Sequence, residues 1–265
     1  MPLVILAVCL FSPVEQPADA KVVTIAQREA PAQNQREDGR VSRFAQDVTL
    51  HVVLHELGHA LIREFDLPIL GNEETMADAF ATCYLTTYLP DRAVDVLKAR
   101  TTSLMLEAKE VPRAEWTIKG EHNSDARRAY QIAILAVAAD SDKYRPVALA
   151  AGLTEDDIRR GRDYGAEIHR SWRRILKPLW MPDGQPSGEA RVRFDTSNKL
   201  VKQLCSDEFL KELKSVITRF DWHSQVTIYF AEGYGGAGWS RSKRTITVNS
   251  EYVRRFVEQG KLAKD

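Results

Sequence analysis

The chain has no excess of charge of either sign: over 265 residues, 37 Lys and Arg stand against 37 Asp and Glu. With no net field to draw it to nucleic acid or to an acidic membrane surface, neither is expected as a partner. The apolar run at residues 3–11 is too short to span a bilayer, so no transmembrane span is expected in the mature chain. Ala18-Asp19-Ala20 follows it with the small-x-small pattern of a cleavage site, and residues 1–20 therefore read as a signal peptide. No Lys or Arg precedes the run, and the competing reading is a buried N-terminal strand or helix. The signal reading makes the protein secreted or periplasmic. Cysteine is scarce, and only Cys83 and Cys205 would survive cleavage. An oxidising compartment would let them pair, but Cys83 lies in an apolar helical stretch, and both read better as buried small hydrophobes. The glycines of residues 233–238 are not followed by Gly-Lys-Ser/Thr, which removes a phosphate loop and leaves a hairpin turn.

What is present is concentrated in one stretch. His55-Glu56-Leu57-Gly58-His59 places two histidines four apart within apolar helical spacing, with Val48, Val52, Leu57 and Leu61 as the buried positions. Residues four apart share a helix face, so two imidazoles can converge on one metal ion, for which zinc is the natural choice. Glu56 sits beside that point, where a carboxylate can take a proton from a metal-activated water. Gly58 would let another element come close to the second histidine. His51 shares the face one turn earlier. Three successive helical histidines rarely reach one metal, so it reads as a packing or supporting residue.

The active helix is expected over residues 44–65, and the Pro- and Gly-containing segment 66–72 ends it. A second helix starts at Glu73, with Asn72 as its cap and acids in its first turn. Two imidazoles leave a catalytic zinc one protein ligand short, and this helix should supply it. Glu74 and Asp78 share a face, so one can bind metal while the other holds a ligating imidazole through its far nitrogen. Glu73 points about a third of a turn away and has no acid one turn further along its own face.

With its Leu-Pro loop, this order of motifs resembles the gluzincin pattern of thermolysin-like metallopeptidases. The resemblance implies that Glu74 is the third zinc ligand and that Asp78 orients a histidine. A closer likeness is to a bacterial metallopeptidase family known mainly as a domain of unknown function. It rests on His-Glu-x-Gly-His-Ala-Leu, Leu-Pro-x-Leu-Gly-x-Glu-Glu and Ala-Asp-x-Phe-Ala, with lesser similarity around residues 121–130 and 170–176. It covers roughly residues 44–179.

The remainder reads as scaffold. Residues 21–43 form a polar linker and residues 44–180 the metallopeptidase-like core. Within the core, further helices are expected at 91–109, at 124–139, and from a Thr154 cap through Leu176. His122, Tyr130, Tyr164 and His169 are candidates for stabilising the oxyanion of peptide-bond attack. A Pro/Gly-rich boundary at 178–188 leads to a C-terminal α/β segment, 189–265, with a strand at 191–194, a helix at 206–220, and strands at 225–230 and 245–248 paired as a hairpin. That hairpin either packs beside the active helix and supplies an edge for extended substrate, or forms a lobe of its own.

The fold class is thus α+β, a mainly helical zincin-like core with a small sheet. The function is zinc-dependent hydrolysis of peptide or protein substrates, with Glu56 as general base, His55, His59 and Glu74 on the metal, and Asp78 behind them. The rival is a catalytically silent zinc-binding or interaction module of the cell envelope. An intact Glu56 favours the enzyme.

Overall fold

A computed structural model describes residues 41–69, 71–110 and 124–263. The expected signal segment, nearly all of the expected linker, and His122 lie outside them. The described residues cluster as one compact unit. Helices α1 (Arg43–Glu64), α2 (Glu73–Tyr88), α3 (Pro90–Glu110), α4 (Asp125–Ala139), α5 (Arg145–Ala150), α6 (Glu155–Tyr164) and α7 (Ala166–Leu176) come first. Strand β1 (Ala190–Phe194), helices α8 (Lys199–Leu204) and α9 (Asp207–Ile217), strands β2 (Val226–Ala231), β3 (Ala237–Ser240) and β4 (Thr245–Asn249), and helix α10 (Ser250–Leu262) complete a mainly helical α+β fold.

Helix α1 is the axis of the molecule. Ser42 caps it by accepting from the Ala45 amide, and Asp66, in the left-handed region at φ 47°, turns the chain out ahead of Pro68. Every residue from Ala45 to Ile62 except Gln46 and His59 is buried. A helix covered on all sides needs no polar face, so α1 is apolar around most of its circumference. Helices α2, α3 and α10 and strands β3 and β4 pack on it.

Two close approaches set this packing. A Cβ on Gly58 would lie 3.0 Å from the Ala77 Cα and 3.2 Å from the Phe80 ring, so glycine lets α2 come against α1. A Cβ on Gly260 would lie 3.1–3.3 Å from Ser42 and Phe44, which brings α10 against the start of α1. Polar ties accompany them. Arg92 of α3 bonds Asp47 of α1 at 2.7 Å and Glu212 of α9 at 2.8 Å, and Gln259 of α10 accepts from Ser103 of α3 at 2.7 Å.

The sheet has order β1-β2-β4-β3, with β1, β2 and β4 parallel and β3 antiparallel at one edge. This corrects the expected hairpin. The strand-like runs at 226–230 and 245–248 are neighbours but run the same way, and the true hairpin is β3–β4. Parallel neighbours need a crossover, and β3 lies within that connection on the far side of β4. Of the two placements for this segment, packing beside α1 is the one observed, with β3 and β4 against it.

The helix expected from Thr154 through Leu176 is broken at Gly165, which has Ala138 and Leu135 of α4 so close that a Cβ would overlap them. Thr154 does form a capping box with Asp157. Cys83 and Cys205 are free and buried, and burial raises the pKa of both thiols. No helix among the described residues is long and apolar enough to cross a membrane.

Candidate metal centre

His55 and His59 stand one turn apart on α1, and the first turn of α2 lies across from them because Gly58 permits the approach. Asn72 fixes where that turn begins, accepting from the Thr75 amide at 2.9 Å. The result brings three groups together. His55 Nε2 is 3.2 Å from His59 Nε2 and 3.1 Å from Glu74 Oε2, and His59 Nε2 is 3.4 Å from Glu74 Oε1. Among the described residues these form a group able to hold a metal ion.

The far nitrogens explain why these groups face one another. His55 Nδ1 lies 2.8 Å from Asp78 Oδ1, and His59 Nδ1 lies 2.8 Å from Glu73 Oε1. An ionised carboxylate only accepts, so each Nδ1 carries a hydrogen, and whenever the ring is neutral its Nε2 lone pair turns inward. Two lone pairs and a carboxylate at close range repel unless a proton or a cation lies between them. The donor set therefore fits a metal ion.

Each supporting carboxylate is held in turn by an arginine. Arg128 of α4 donates from Nε to Asp78 Oδ2 at 2.8 Å and from Nη2 to Oδ1 at 2.9 Å. Arg63 of α1 donates from Nε and Nη2 to Glu73 at 3.0 and 2.8 Å. Two Arg-carboxylate-His chains thus converge on the same point. Burial alone would raise the Asp78 pKa, but the charges and hydrogen bonds of Arg128 and His55 outweigh it and hold Asp78 well below the usual range. Burial pulls His59 down, whereas its bonds to Glu74 and Glu73 and the Glu56 charge push it up to about 9 without metal.

Glu56 is buried beside this group and borders two cavities, one on each side of it. A cavity of about 490 Å³ is lined by His51, His55, Arg100, Arg128 and Tyr252 among others. The second, about 530 Å³, is lined by His59, Arg63, Glu73, Glu74, Trp239 and Arg241 among others. Ala237 of β3 also borders both, so this edge strand runs along a cleft that passes over Glu56.

The sequence reading of His55, His59, Glu56, Glu74 and Asp78 as neighbours matches what the structure brings together. It set Glu73 aside as pointing away, without its bond to His59 Nδ1, and it missed Arg63 and Arg128. Arg63 follows His59 by four on the same face, a signal that was available; Arg128 arrives only through the packing of α4 on α2 and has none. The candidates for oxyanion stabilisation need correction. His169 is buried, with Nε2 2.7 Å from the Leu135 carbonyl, and Tyr130 is exposed beside a different cavity. The Tyr164 side chain, like His122, lies outside what the structure describes. Tyr252 and Arg128 are among the groups that border the cleft instead.

A family model with the description "Putative metallopeptidase" matches residues 19–176, more than half of the chain, and ends with α7. No curated protein and no solved structure matches the chain.

Proposed function

The chain belongs to the "Putative metallopeptidase" family, and from that premise we propose that it is a zinc-dependent peptidase. His55, His59 and Glu74 would hold the ion. The observation that carries this reading is the spacing of their donor atoms, 3.1–3.4 Å. A tetrahedral zinc with bonds of about 2.05 Å has ligand atoms about 3.3 Å apart. Bound zinc would supply Lewis acidity to a water molecule and to the substrate carbonyl.

The protein's own groups do the rest. Glu56, which lacks any role on the metal, takes a proton from the attacking water and passes it to the departing amine. Asp78 and Glu73 hold the two imidazoles in one tautomer and one orientation, and Arg128 and Arg63 keep those carboxylates ionised and in place. Arg128 and Tyr252, at the wall of the cleft, are the donors assigned to a developing oxyanion in this reading. Strand β3 pairs with β4 on one side only, so an extended peptide can add to its open edge and pass over Glu56. A site beyond the membrane, as the N-terminal segment suggests, is part of the same proposal.

The test is a peptide-library digest by the purified protein before chelation, after removal of metal, and after zinc is restored. The proposal expects cleavage, its loss, and its return. Cleavage that persists undiminished in the chelated, metal-free protein would refute it.

A further inference from the structure

The cavity on the His51 side of Glu56 contains an electrostatic arrangement that zinc binding does not use. Arg100 of α3 is 1 % exposed and borders this cavity. Its Nε and Nη1 are buried without a hydrogen-bond partner, and it forms no ion pair among the described residues. Asp125 feels its charge without bonding it. His51, fully buried on the same wall, also leaves both ring nitrogens unpartnered. Burial, followed by the Arg100 charge, keeps this imidazole neutral, so it offers one donor and one acceptor.

The other charged groups on the walls are already engaged. Arg128 is bound to Asp78, Arg255 lies 2.8 Å from Glu110 and 3.4 Å from Glu107, and Glu251 lies 3.1 Å from Arg254. Glu56 faces the reaction centre. Arg100 is therefore the cation on these walls that lacks a bonded counter-charge. A buried guanidinium left without partners is unfavourable relative to a paired one, and a planar fork of N–H donors matches a carboxylate best.

We propose that this cavity is a carboxylate-binding subsite of the cleft, in which Arg100, with His51 beside it, receives an anionic group of the substrate on one side of the bond to be cut. The inference rests on the peptidase reading. The carboxylate has two possible sources in a peptide, an acidic side chain or the free C-terminus. The first makes the protein selective for acidic residues, and the second makes it trim chain ends.

Binding measured without turnover tests this. Metal-free full-length protein is titrated calorimetrically with a neutral, C-terminally amidated hexapeptide. It is then titrated with the same peptide as the free acid, and with amidated versions carrying one Glu at each position in turn. Either the free acid or one Glu position should bind about ten- to hundredfold more tightly than the neutral amide, the range expected for hydrogen bonds to a charged group. Arg100→Gln should remove that preference, and Arg100→Lys should keep part of it. If Arg100→Gln does not fold, His51→Leu should weaken the preference several-fold. Equal binding of all peptides by the wild type, or a preference that survives loss of the Arg100 charge, overturns the subsite. Because no bond is cut, a failure of peptide hydrolysis leaves this result readable, and the reverse also holds.

Discussion

At the residue scale, the proposed site separates side chains that would touch the metal from those that act through another. Glu74→Gln should lose zinc, because it takes away a ligand's charge. Glu73→Gln and Asp78→Asn should keep the ligand set and lower zinc affinity by about 10- to 100-fold, the range for partners of ligating histidines. Competition with a chromogenic chelator measures all three. A larger loss for Glu73→Gln than for Glu74→Gln would reverse the assignment. Asp78→Asn carries a second consequence. It strands the buried Arg128, and removal of one partner of a buried ion pair costs about 3–5 kcal/mol, so the chemical-denaturation midpoint should fall by far more than for Glu73→Gln, whose Arg63 is half exposed.

His59 adds a dependence on pH. Its folded, metal-free pKa of about 9 lies above the value of about 6.5 expected in the unfolded chain. A raised folded value contributes stability that is fully present below about 6.5 and is lost as pH rises through about 9. The metal-free protein should therefore lose thermal stability from this group across that window. Zinc must displace the same proton, so its affinity should rise over the same range. Melting temperatures with and without zinc at several pH values check both trends. Parallel curves would contradict the account.

At the element scale, the contact of α1 with α2 makes the site. Gly58→Ala puts a methyl 3.0 Å from the Ala77 backbone, and overpacking of this kind costs about 1–3 kcal/mol. Because the strain falls between the two histidines and the acids, zinc affinity should drop along with stability. A variant that loses stability but binds zinc as the wild type does would show that the helix spacing is not what sets the site. Strand β3 gives a further test. If substrate adds to its edge, N-methylation of a good substrate at single backbone amides should reduce kcat/KM at alternate positions, following the period of an extended chain. A uniform effect would argue against strand addition.

Legibility in the sequence also divides at this scale. The His55–His59 and Glu74–Asp78 pairs were readable because each is a four-residue spacing on one helix, and such spacing needs no knowledge of tertiary structure. Arg128 was not, since its neighbours in space are 50 residues away in sequence. The sheet misled for a physical reason. β2 and β4 carry the β-branched and aromatic residues and so look like partners, while β3, Ala237-Gly238-Trp239-Ser240, has little strand composition and owes its conformation to β4 and α1. Helix α10 went unread because it follows β4 without a break, with Asn249 both ending the strand and preceding the helix.

At the scale of the whole molecule, the described residues past Gly188 act as the second wall of the cleft. They supply β3, Tyr252 and the face of α10 that covers α1. Arg244, in the β3–β4 turn, pairs with Glu64 at the end of α1. The "Putative metallopeptidase" match ends before all of this, so the proposed ligands belong to the matched residues and much of the cleft to the rest. A chain ending at Gly188 should expose the apolar positions of α1, aggregate or unfold, and cleave nothing. One that stays monomeric and cleaves peptides at the full-length rate would show that the C-terminal elements are dispensable.

In the proposed function, Glu56 moves the proton at a zinc held by other residues. Its most direct test is one pair of measurements on Glu56→Gln, zinc per chain and the rate of peptide cleavage. The account expects about one zinc per chain, as in the wild type, and a loss of rate of at least about 100-fold, the scale of a general base. Hydrolysis at the wild-type rate with zinc in place would contradict it.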